Sequence, residues 1–131
     1  MTNQDLTTAE RESGALFAPK FDGSGLLTAV VTDSASGKVL VVAHMNADAL
    51  EATLNSGCVH FWSRSRQSLW MKGETSGHVL EVEAIMVDCD QDALVIHARP
   101  AGPTCHTGAN SCFYRRVEMR DGAPALVKVN T

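Results

Sequence analysis

Three of the four cysteines in this chain have the spacing of a metal site. Cys89 lies inside an acidic run, Cys105 follows sixteen positions later, and Cys112 follows after seven more. Three thiolates can hold a zinc ion and leave its fourth tetrahedral position open to water, which is the composition of a reactive site rather than a closed structural one. The residues alone leave open the alternative that these thiols are small buried hydrophobes, as we interpret Cys58.

Aspartates alternate with other residues around the first of these thiols. Asp88, Asp90 and Asp92 surround Cys89, and carboxylate oxygens suit a harder cation such as magnesium or calcium. In an extended segment the three carboxylates would face one way and the thiol the other, so one strand would serve two metal sites. An EF-hand loop is excluded, because its sixth and twelfth positions lack glycine and glutamate. A solvated acidic turn remains the alternative.

Residues 63–77 combine cations with hydroxyls and glycines. Three of the eleven basic residues of the chain fall within nine positions of this segment. Arginine grips phosphate through two parallel hydrogen bonds, lysine adds a point charge, and hydroxyl groups complete a cradle. The segment therefore predicts a phosphate-binding site with the candidate residues Ser63, Arg64, Arg66, Lys72, Thr75 and Ser76. The alternative is a solvated polar loop whose neighbours Trp62 and Trp70 belong to the core.

One histidine directly follows a candidate zinc ligand. His106 could act as a general acid or base, because the unperturbed pKa of histidine, about 6.5, lies near working pH. It could instead be a fourth zinc ligand, which would close the site. Of the other histidines, His60 and His78 flank the basic segment and are the better functional candidates.

The whole chain has the composition of one globular domain. It has 131 residues, 44% of them hydrophobic, and a net charge of -4, which disfavours general nucleic-acid binding. No apolar run approaches the length of a membrane helix, and the amino terminus lacks the pattern of a secretory signal. We therefore expect a cytoplasmic protein with no nucleic-acid or membrane partner. We divide it into an N-terminal arm, residues 1–20, and a single domain, residues 21–131.

Residue periodicity predicts one main helix among several strands. Asn46 is a good N-cap for a helix over residues 47–54, and Gly57 is placed to end it. A capping box from Thr7 to Glu10 suggests a short helix in the arm. Runs rich in β-branched and apolar residues predict strands over residues 26–32, 39–43, 59–62, 79–87, 93–98 and 113–119. Hairpin-length links between them indicate an α+β fold with a largely antiparallel twisted sheet.

Taken together, these motifs resemble phosphoribosyl-AMP cyclohydrolase, a family of histidine biosynthesis. The resemblance spans roughly residues 21–115 and rests on residues 63–66, 70–77, 88–92, 105–108 and 111–113. It implies an intertwined homodimer whose zinc site draws on both chains, in a monofunctional form. It also implies that zinc is bound by Cys89, Cys105 and Cys112. Magnesium would be bound by Asp88, Asp90 and Asp92.

The family opens the purine six-membered ring of phosphoribosyl-AMP by adding water. For this chain the resemblance implies that zinc activates the water, while the ribosyl group on the ring nitrogen makes the adjacent carbon electrophilic. His106 would move protons, and Glu74 is a second acid–base candidate. Arg64, Arg66 and Lys72 would hold the two phosphates of the substrate.

Two rival functions remain at this point. A zinc nucleotide deaminase would carry His-x-Glu and Pro-Cys-x-x-Cys, but no cysteine lies three positions after Cys105. A dimeric nucleotide-binding module with structural zinc would need a closed site of four ligands, and only His106 could supply the fourth ligand locally.

Overall fold

The computed structural model describes residues 6–131, so the first five residues of the predicted arm lie outside the described part of the chain. The elements in chain order are α1 (Thr8–Ser13), β1 (Leu27–Asp33), β2 (Val39–Met45), α2 (Ala47–Ser56), β3 (His60–Ser63), β4 (Ser68–Met71), β5 (Leu80–Val87), β6 (Ala93–Pro100), β7 (Arg115–Arg120) and β8 (Ala123–Lys128). This confirms the predicted α+β class with one main helix, α2.

A four-stranded sheet in the order β2-β1-β6-β5 forms the centre of the fold. Every neighbouring pair is antiparallel except β1 and β6, which are parallel. Alternate residues of β1 and β6 are buried, because side chains on a strand point to opposite faces and one face meets the core. In the register, Ala29 lies beside Leu94 and Val31 beside Ile96, so the apolar faces of the two strands coincide.

Helix α2 covers this core as the sequence predicts. The Asn46 side chain accepts a hydrogen bond from the Ala49 amide at 2.8 Å, and Gly57 ends the helix in the left-handed region at φ 76°. Ala49, Leu50 and Thr53 are its buried residues. The Thr53 hydroxyl donates to the Ala49 carbonyl and accepts from the His60 amide, so it joins α2 to β3.

Two of the observed strands were absent from the sequence prediction. β4 lies inside the basic segment, and it forms because its residues pair with β3, from His60 opposite Met71 to Ser63 opposite Ser68. β8 contains Pro124, which argues against a central strand but is compatible with a two-stranded hairpin. Both strands are defined by their partners, which a local residue pattern does not identify.

The acidic residues form a turn rather than an extended segment. β5 ends at Val87 and β6 begins at Ala93, and residues 88–92, the acidic turn, connect them. Gln91 has a φ of 60°, which reverses the chain. The expectation that strand alternation separates the aspartates from Cys89 is therefore wrong, because alternation requires extended backbone.

The second face of the central sheet carries an apolar row that crosses all four strands. Val42 pairs with Val30, Val30 with Val95, and Val95 with Met86, and residues paired in a ladder share a face. Val42 is 41% exposed and Met86 56% exposed, so the outer members of the row lie open to solvent. Within residues 6–131 no helix is long and apolar enough to cross a membrane.

Candidate functional site

A pocket of about 400 Å³ lies between the end of the β3–β4 hairpin and the loop that follows β6. It brings together residues that are far apart in sequence: one wall comes from residues 66–78 and the other from residues 103–108. Six of the predicted site residues and one predicted zinc ligand line it, namely Arg66, Lys72, Glu74, Thr75, Ser76, His106 and Cys105. The pocket therefore joins the candidate phosphate-binding groups to the candidate acid–base groups.

Two of the three predicted zinc ligands meet beside this pocket. The loop is folded by hydrogen bonds from the Cys105 amide to the Ala109 carbonyl at 3.0 Å and from the Cys112 amide to the Leu40 carbonyl at 2.7 Å. The thiols of Cys105 and Cys112 lie close enough for each to shift the pKa of the other. The geometry thus supplies an adjacent pair of soft ligands.

The two thiols differ in acidity. The Thr107 hydroxyl donates to the Cys105 sulfur at 3.1 Å and lowers the pKa of that thiol, against the opposing effect of desolvation. Desolvation, followed by the charge of Cys105, raises the pKa of Cys112. The positive charge of Lys72 favours the thiolate form of both. Cys105 is therefore the first of the pair to become a metal-binding thiolate.

Lys72 owes its position to a tight turn after β4. Its ammonium lies 5.8 Å from the centre of the Trp70 ring, and Trp70 packs on Phe61 in the core. Gly73 follows at φ +87°, and a Cβ there would lie 2.4 Å from the carbonyl carbon of His78. Only glycine allows this close approach, which turns the chain and lets residues 72–76 line the pocket.

The third predicted zinc ligand lies elsewhere. Cys89 precedes β6 and Cys105 follows it, and an eight-residue strand extends over roughly 25 Å at about 3.3 Å per residue. Cys89 is exposed in the acidic turn. Among residues 6–131 of one chain, no group of three metal-ligating side chains includes any of the three thiols.

The acidic turn, by contrast, gathers its three carboxylates within one chain. One oxygen from each of Asp88, Asp90 and Asp92 lies within 4.8 Å of the others. Oδ1 of Asp88 accepts hydrogen bonds from the amides of Asp92 and Ala93 at 2.9 and 3.1 Å. Hydrogen bonds with Asp88 and then Asp90 raise the pKa of Asp92 to about 6. Such crowding of negative charge fits a divalent cation, which would relieve it.

Not every predicted residue reaches the pocket. The Ser63 hydroxyl accepts from the Arg66 amide at 3.2 Å and so supports the β3–β4 turn. Arg64 is exposed and does not line the pocket. Its charge lies near Asp22. Hydrogen bonds from the Leu26 and Ser24 amides lower the pKa of Asp22 most, and the charge of Arg64 adds a smaller effect in the same direction.

Two further residues belong to the pocket. His78 lines it and Gly102 packs on its ring, where a Cβ would lie 2.6 Å from Cδ2. Thr104 is 2% exposed, and its hydroxyl has no hydrogen-bond partner among the described residues. Thr104 was not predicted from the sequence, where its only signal is adjacency to Cys105. His60 instead has a structural role, with Nδ1 2.9 Å from the Cys58 carbonyl.

Comparison with known proteins places these features in a family. The model of the phosphoribosyl-AMP cyclohydrolase family matches residues 41–114. A phosphoribosyl-AMP cyclohydrolase from Chelativorans sp. is 58% identical over 119 residues, which cover 89% of this chain and 86% of that protein. The enzyme of the same name from Erythrobacter litoralis is 59% identical over 114 residues, which cover 87% of this chain and 91% of its own. That from Sphingopyxis alaskensis is 58% identical over 117 residues, covering 89% and 93%.

The α+β fold, the paired thiols beside a basic pocket and these relatives define a hydrolase that acts on carbon–nitrogen bonds. These relatives, which carry the name phosphoribosyl-AMP cyclohydrolase, set aside both rival classes, the deaminase and the non-enzymatic binding module. The chain belongs to the phosphoribosyl-AMP cyclohydrolase family, whose activity lies in histidine biosynthesis.

Proposed function

We propose that this chain opens the purine six-membered ring of 1-(5-phosphoribosyl)-AMP by hydrolysis, with zinc as its reactive metal. The observation that carries the proposal is the pocket itself, because it places the Cys105 thiol, with Cys112 next to it, a histidine and two cations around one space of about 400 Å³. A nucleotide with two phosphates needs cations at its ends and an activated water at its ring. The pocket lining offers groups of both kinds.

Zinc would be held by Cys105 and Cys112 from one chain together with Cys89, all three as thiolates. When bound, it would lower the pKa of a water near the purine ring. The lowered pKa of Cys105 supports the assignment, because only the thiolate binds metal. Magnesium would be held by Asp88, Asp90 and Asp92, whose oxygens already converge, and would neutralise or orient phosphate.

The chain's own residues would bind the substrate and move protons. Arg66 and Lys72 line the pocket and would hold phosphate oxygens, assisted by the hydroxyls of Thr75 and Ser76. His106 is exposed within the pocket and would transfer a proton to the departing ring nitrogen. Glu74 is a second candidate for this role, and its carboxylate now accepts from the Met71 amide at 3.3 Å.

We further propose that the working form is a homodimer in which each zinc site takes Cys89 from the partner subunit. The separation of Cys89 from the thiol pair by the length of β6 supports this. The apolar row on the second face of the sheet gives a second copy of the chain a surface to cover.

The C-terminal hairpin offers another apolar surface for the partner. One face of β7 and β8 carries Val117, Met119 and Leu126, all more than half exposed. The opposite face carries an ion-pair series in which Glu118 joins Arg116 and Arg120, with its carboxylate oxygens 2.6 and 3.1 Å from their guanidinium nitrogens. A hairpin with one charged and one apolar face is suited to pack across a subunit interface.

The activity is tested directly with purified protein. Incubation with phosphoribosyl-AMP should change the ultraviolet spectrum as the purine ring opens, and removal of zinc by a chelator should stop the change. A protein that retains full activity without zinc would contradict the zinc proposal. Because the thiols must be reduced, we also expect the enzyme to work in the cytoplasm.

The shared site is tested with two inactive variants. Cys89→Ser and Cys112→Ser are unfolded and refolded together, so that about half of the dimers are mixed in a twofold-symmetric assembly. In a mixed dimer one site collects both defects and the other is intact, so about a quarter of wild-type activity should return. A mixture shown to contain heterodimers but no activity would reject the shared site.

A further inference from the structure

Gln91 is the one buried residue of the otherwise open acidic turn. It is 4% exposed, although the aspartates on both sides of it, Asp90 and Asp92, are at most half-buried. Its backbone adopts φ 60°, a conformation that an L-residue other than glycine or asparagine rarely takes. The Gln91 side chain is thus buried, whereas the neighbouring aspartate side chains are accessible to solvent. A residue placed in this way against its intrinsic preference is held by the contacts it makes.

The Gln91 backbone amide donates to the Asp88 carbonyl within the turn at 3.1 Å, but the hydrogen bonds of its side chain are with the N-terminal arm. The Gln91 amide nitrogen donates to the carbonyls of Arg11 and Leu16 at 2.9 and 3.3 Å, and its amide oxygen accepts from the Ala18 amide at 2.7 Å. The Gln91 backbone carbonyl accepts from the Lys20 amide at 2.6 Å. Both functional groups of one side chain are therefore satisfied by backbone more than seventy positions away.

The arm buries little apolar surface. α1 contributes no buried residue, and among residues 6–20 only Ala18 is buried. The Arg11 guanidinium donates to the Ala18 carbonyl and closes the arm around the Gln91 side chain. With so little apolar surface buried, hydrogen bonds such as those to Gln91 contribute to docking of the arm, each by about 0.5–1.5 kcal/mol.

The docked arm also borders an open pocket next to a candidate cation ligand. A cavity of about 600 Å³ is lined by arm residues, among them Arg11, Glu12 and Lys20, and by Asp22 and Asp90. The arm therefore meets the acidic turn twice, through Gln91 and across this cavity. If it undocked, the turn would lose the contacts that fix Gln91, and the spacing of the aspartates would loosen.

We infer that Gln91 is a positioning residue that couples docking of the N-terminal arm to binding of a divalent cation by Asp88, Asp90 and Asp92. The inference rests on the proposed magnesium role of these aspartates. Residues that orient metal ligands without touching the metal commonly change its affinity by about 10–100-fold when they are replaced. Coupling of this kind is reciprocal, so the cation must stabilise the docked arm by the same factor by which the docked arm strengthens cation binding.

The test uses the zinc-loaded full-length protein with Mn²⁺ as the probe, because Mn²⁺ binding is measured directly by electron paramagnetic resonance. Gln91→Gly removes the side chain while keeping the left-handed backbone favourable. It should bind Mn²⁺ at least about tenfold more weakly than wild type. Trypsin should cleave it faster after Arg11 and Lys20, and zinc content should not change. Its activity should recover at raised Mg²⁺, which a merely structural role would not produce.

Two further variants separate the side chain from the backbone. Gln67→Gly is the matched control, since Gln67 also has a positive φ, 49°, and lies in the exposed β3–β4 turn, where its side chain donates to the Arg64 carbonyl. It should leave both Mn²⁺ affinity and arm cleavage unchanged. Ala18→Pro removes the amide that donates to Gln91 without altering the turn, and should weaken Mn²⁺ binding as Gln91→Gly does.

Reciprocity gives the deciding measurement. In the wild-type protein, Mn²⁺ should slow tryptic cleavage after Arg11. The factor should be about equal to the factor by which Gln91→Gly lowers the affinity for Mn²⁺. In the Asp88→Asn variant, Mn²⁺ should not slow this cleavage. If Gln91→Gly and Ala18→Pro free the arm but bind Mn²⁺ with wild-type affinity, the coupling is rejected and the magnesium proposal stands. If the wild-type protein binds no Mn²⁺ at the turn, the magnesium proposal fails and the coupling with it.

Discussion

The two ends of β6 carry different kinds of candidate metal site. At the end where β6 begins, the acidic turn brings three carboxylates within 4.8 Å of one another inside one chain. At the end where β6 finishes, the loop brings only Cys105 and Cys112 together. Ligands within five positions can converge through a single turn, whereas Cys89 is separated from its partners by a whole strand. A hard-cation site can therefore form within one chain, while the proposed three-thiolate site would take Cys89 from a second chain.

The largest expected effect comes from substituting one candidate metal ligand at each end of β6 in separate variants. Cys105→Ser should lose zinc and activity together, because it removes the thiol whose pKa is lowered, and should still bind Mn²⁺. Asp88→Asn should show the opposite, with full zinc and lost Mn²⁺ binding. Elemental analysis and Mn²⁺ titration of both variants check this. Full zinc in Cys105→Ser would reject the ligand assignment, and loss of both metals in either variant would show that the two ends are not independent.

The role of His106 determines whether the proposed zinc site has an open fourth position or is closed by a fourth protein ligand. If His106 transfers protons, His106→Ala should keep zinc and lose on the order of a hundredfold in rate. Its exposed position in the pocket lining, where a substrate can reach it, favours this outcome. Rate constants and zinc content are measured on the same preparation. Loss of zinc together with rate would instead assign it as the fourth ligand.

The two arginines of the basic segment should differ in their effect. Arg66 lines the pocket and Arg64 does not, so Arg66→Ala should weaken substrate binding by roughly 1.5–3 kcal/mol, the range for a hydrogen bond to a charged group. Arg64→Ala should have a smaller effect, because its charge lies toward Asp22. Steady-state kinetics of both variants with unchanged zinc content provide the measurement. Equal effects would place Arg64 at the substrate as well.

The smallest effect concerns pH and the acidic turn. Hydrogen bonds with its neighbours raise the pKa of Asp92 to about 6, so the cation-free turn keeps a proton up to about pH 6. A cation must displace that proton, and Mn²⁺ affinity should therefore fall as pH falls through 6 and level off above it. Without cation, the unfolded carboxyl loses its proton first, so stability from this group declines between about pH 4 and pH 6 as pH rises.

A titration of Mn²⁺ at pH 5.5 and 7.5 checks the pH prediction. The same titration should show proton release at the lower pH only. Zinc content should not follow this profile, since the proposed zinc ligands are thiols and do not include Asp92. Affinity that is independent of pH across this range would show that the three carboxylates are already ionised before the cation binds.

Several parts of the fold and the site followed from local residue types. The Asn46 cap and Gly57 end of α2 are local signals, because capping involves residues only a few positions apart. The alternation of β1 and β6 is equally local. The acidic turn converges because its aspartates are near neighbours in sequence. The sequence thereby determined which ligand types are present and that an α+β fold would present them.

Only the tertiary structure decided how distant residues combine. β4 exists through its pairing with β3, and Cys105 reaches Lys72 because two loops close one pocket. The placement of Arg64 outside that pocket and of Gln91 beneath the arm depends on segments many positions away. Glutamine in an acidic run has no local signal for burial, since its role is set by backbone groups that arrive from the amino terminus. Hydrogen bonding and packing between such segments are properties of the folded chain, and no local pattern encodes them.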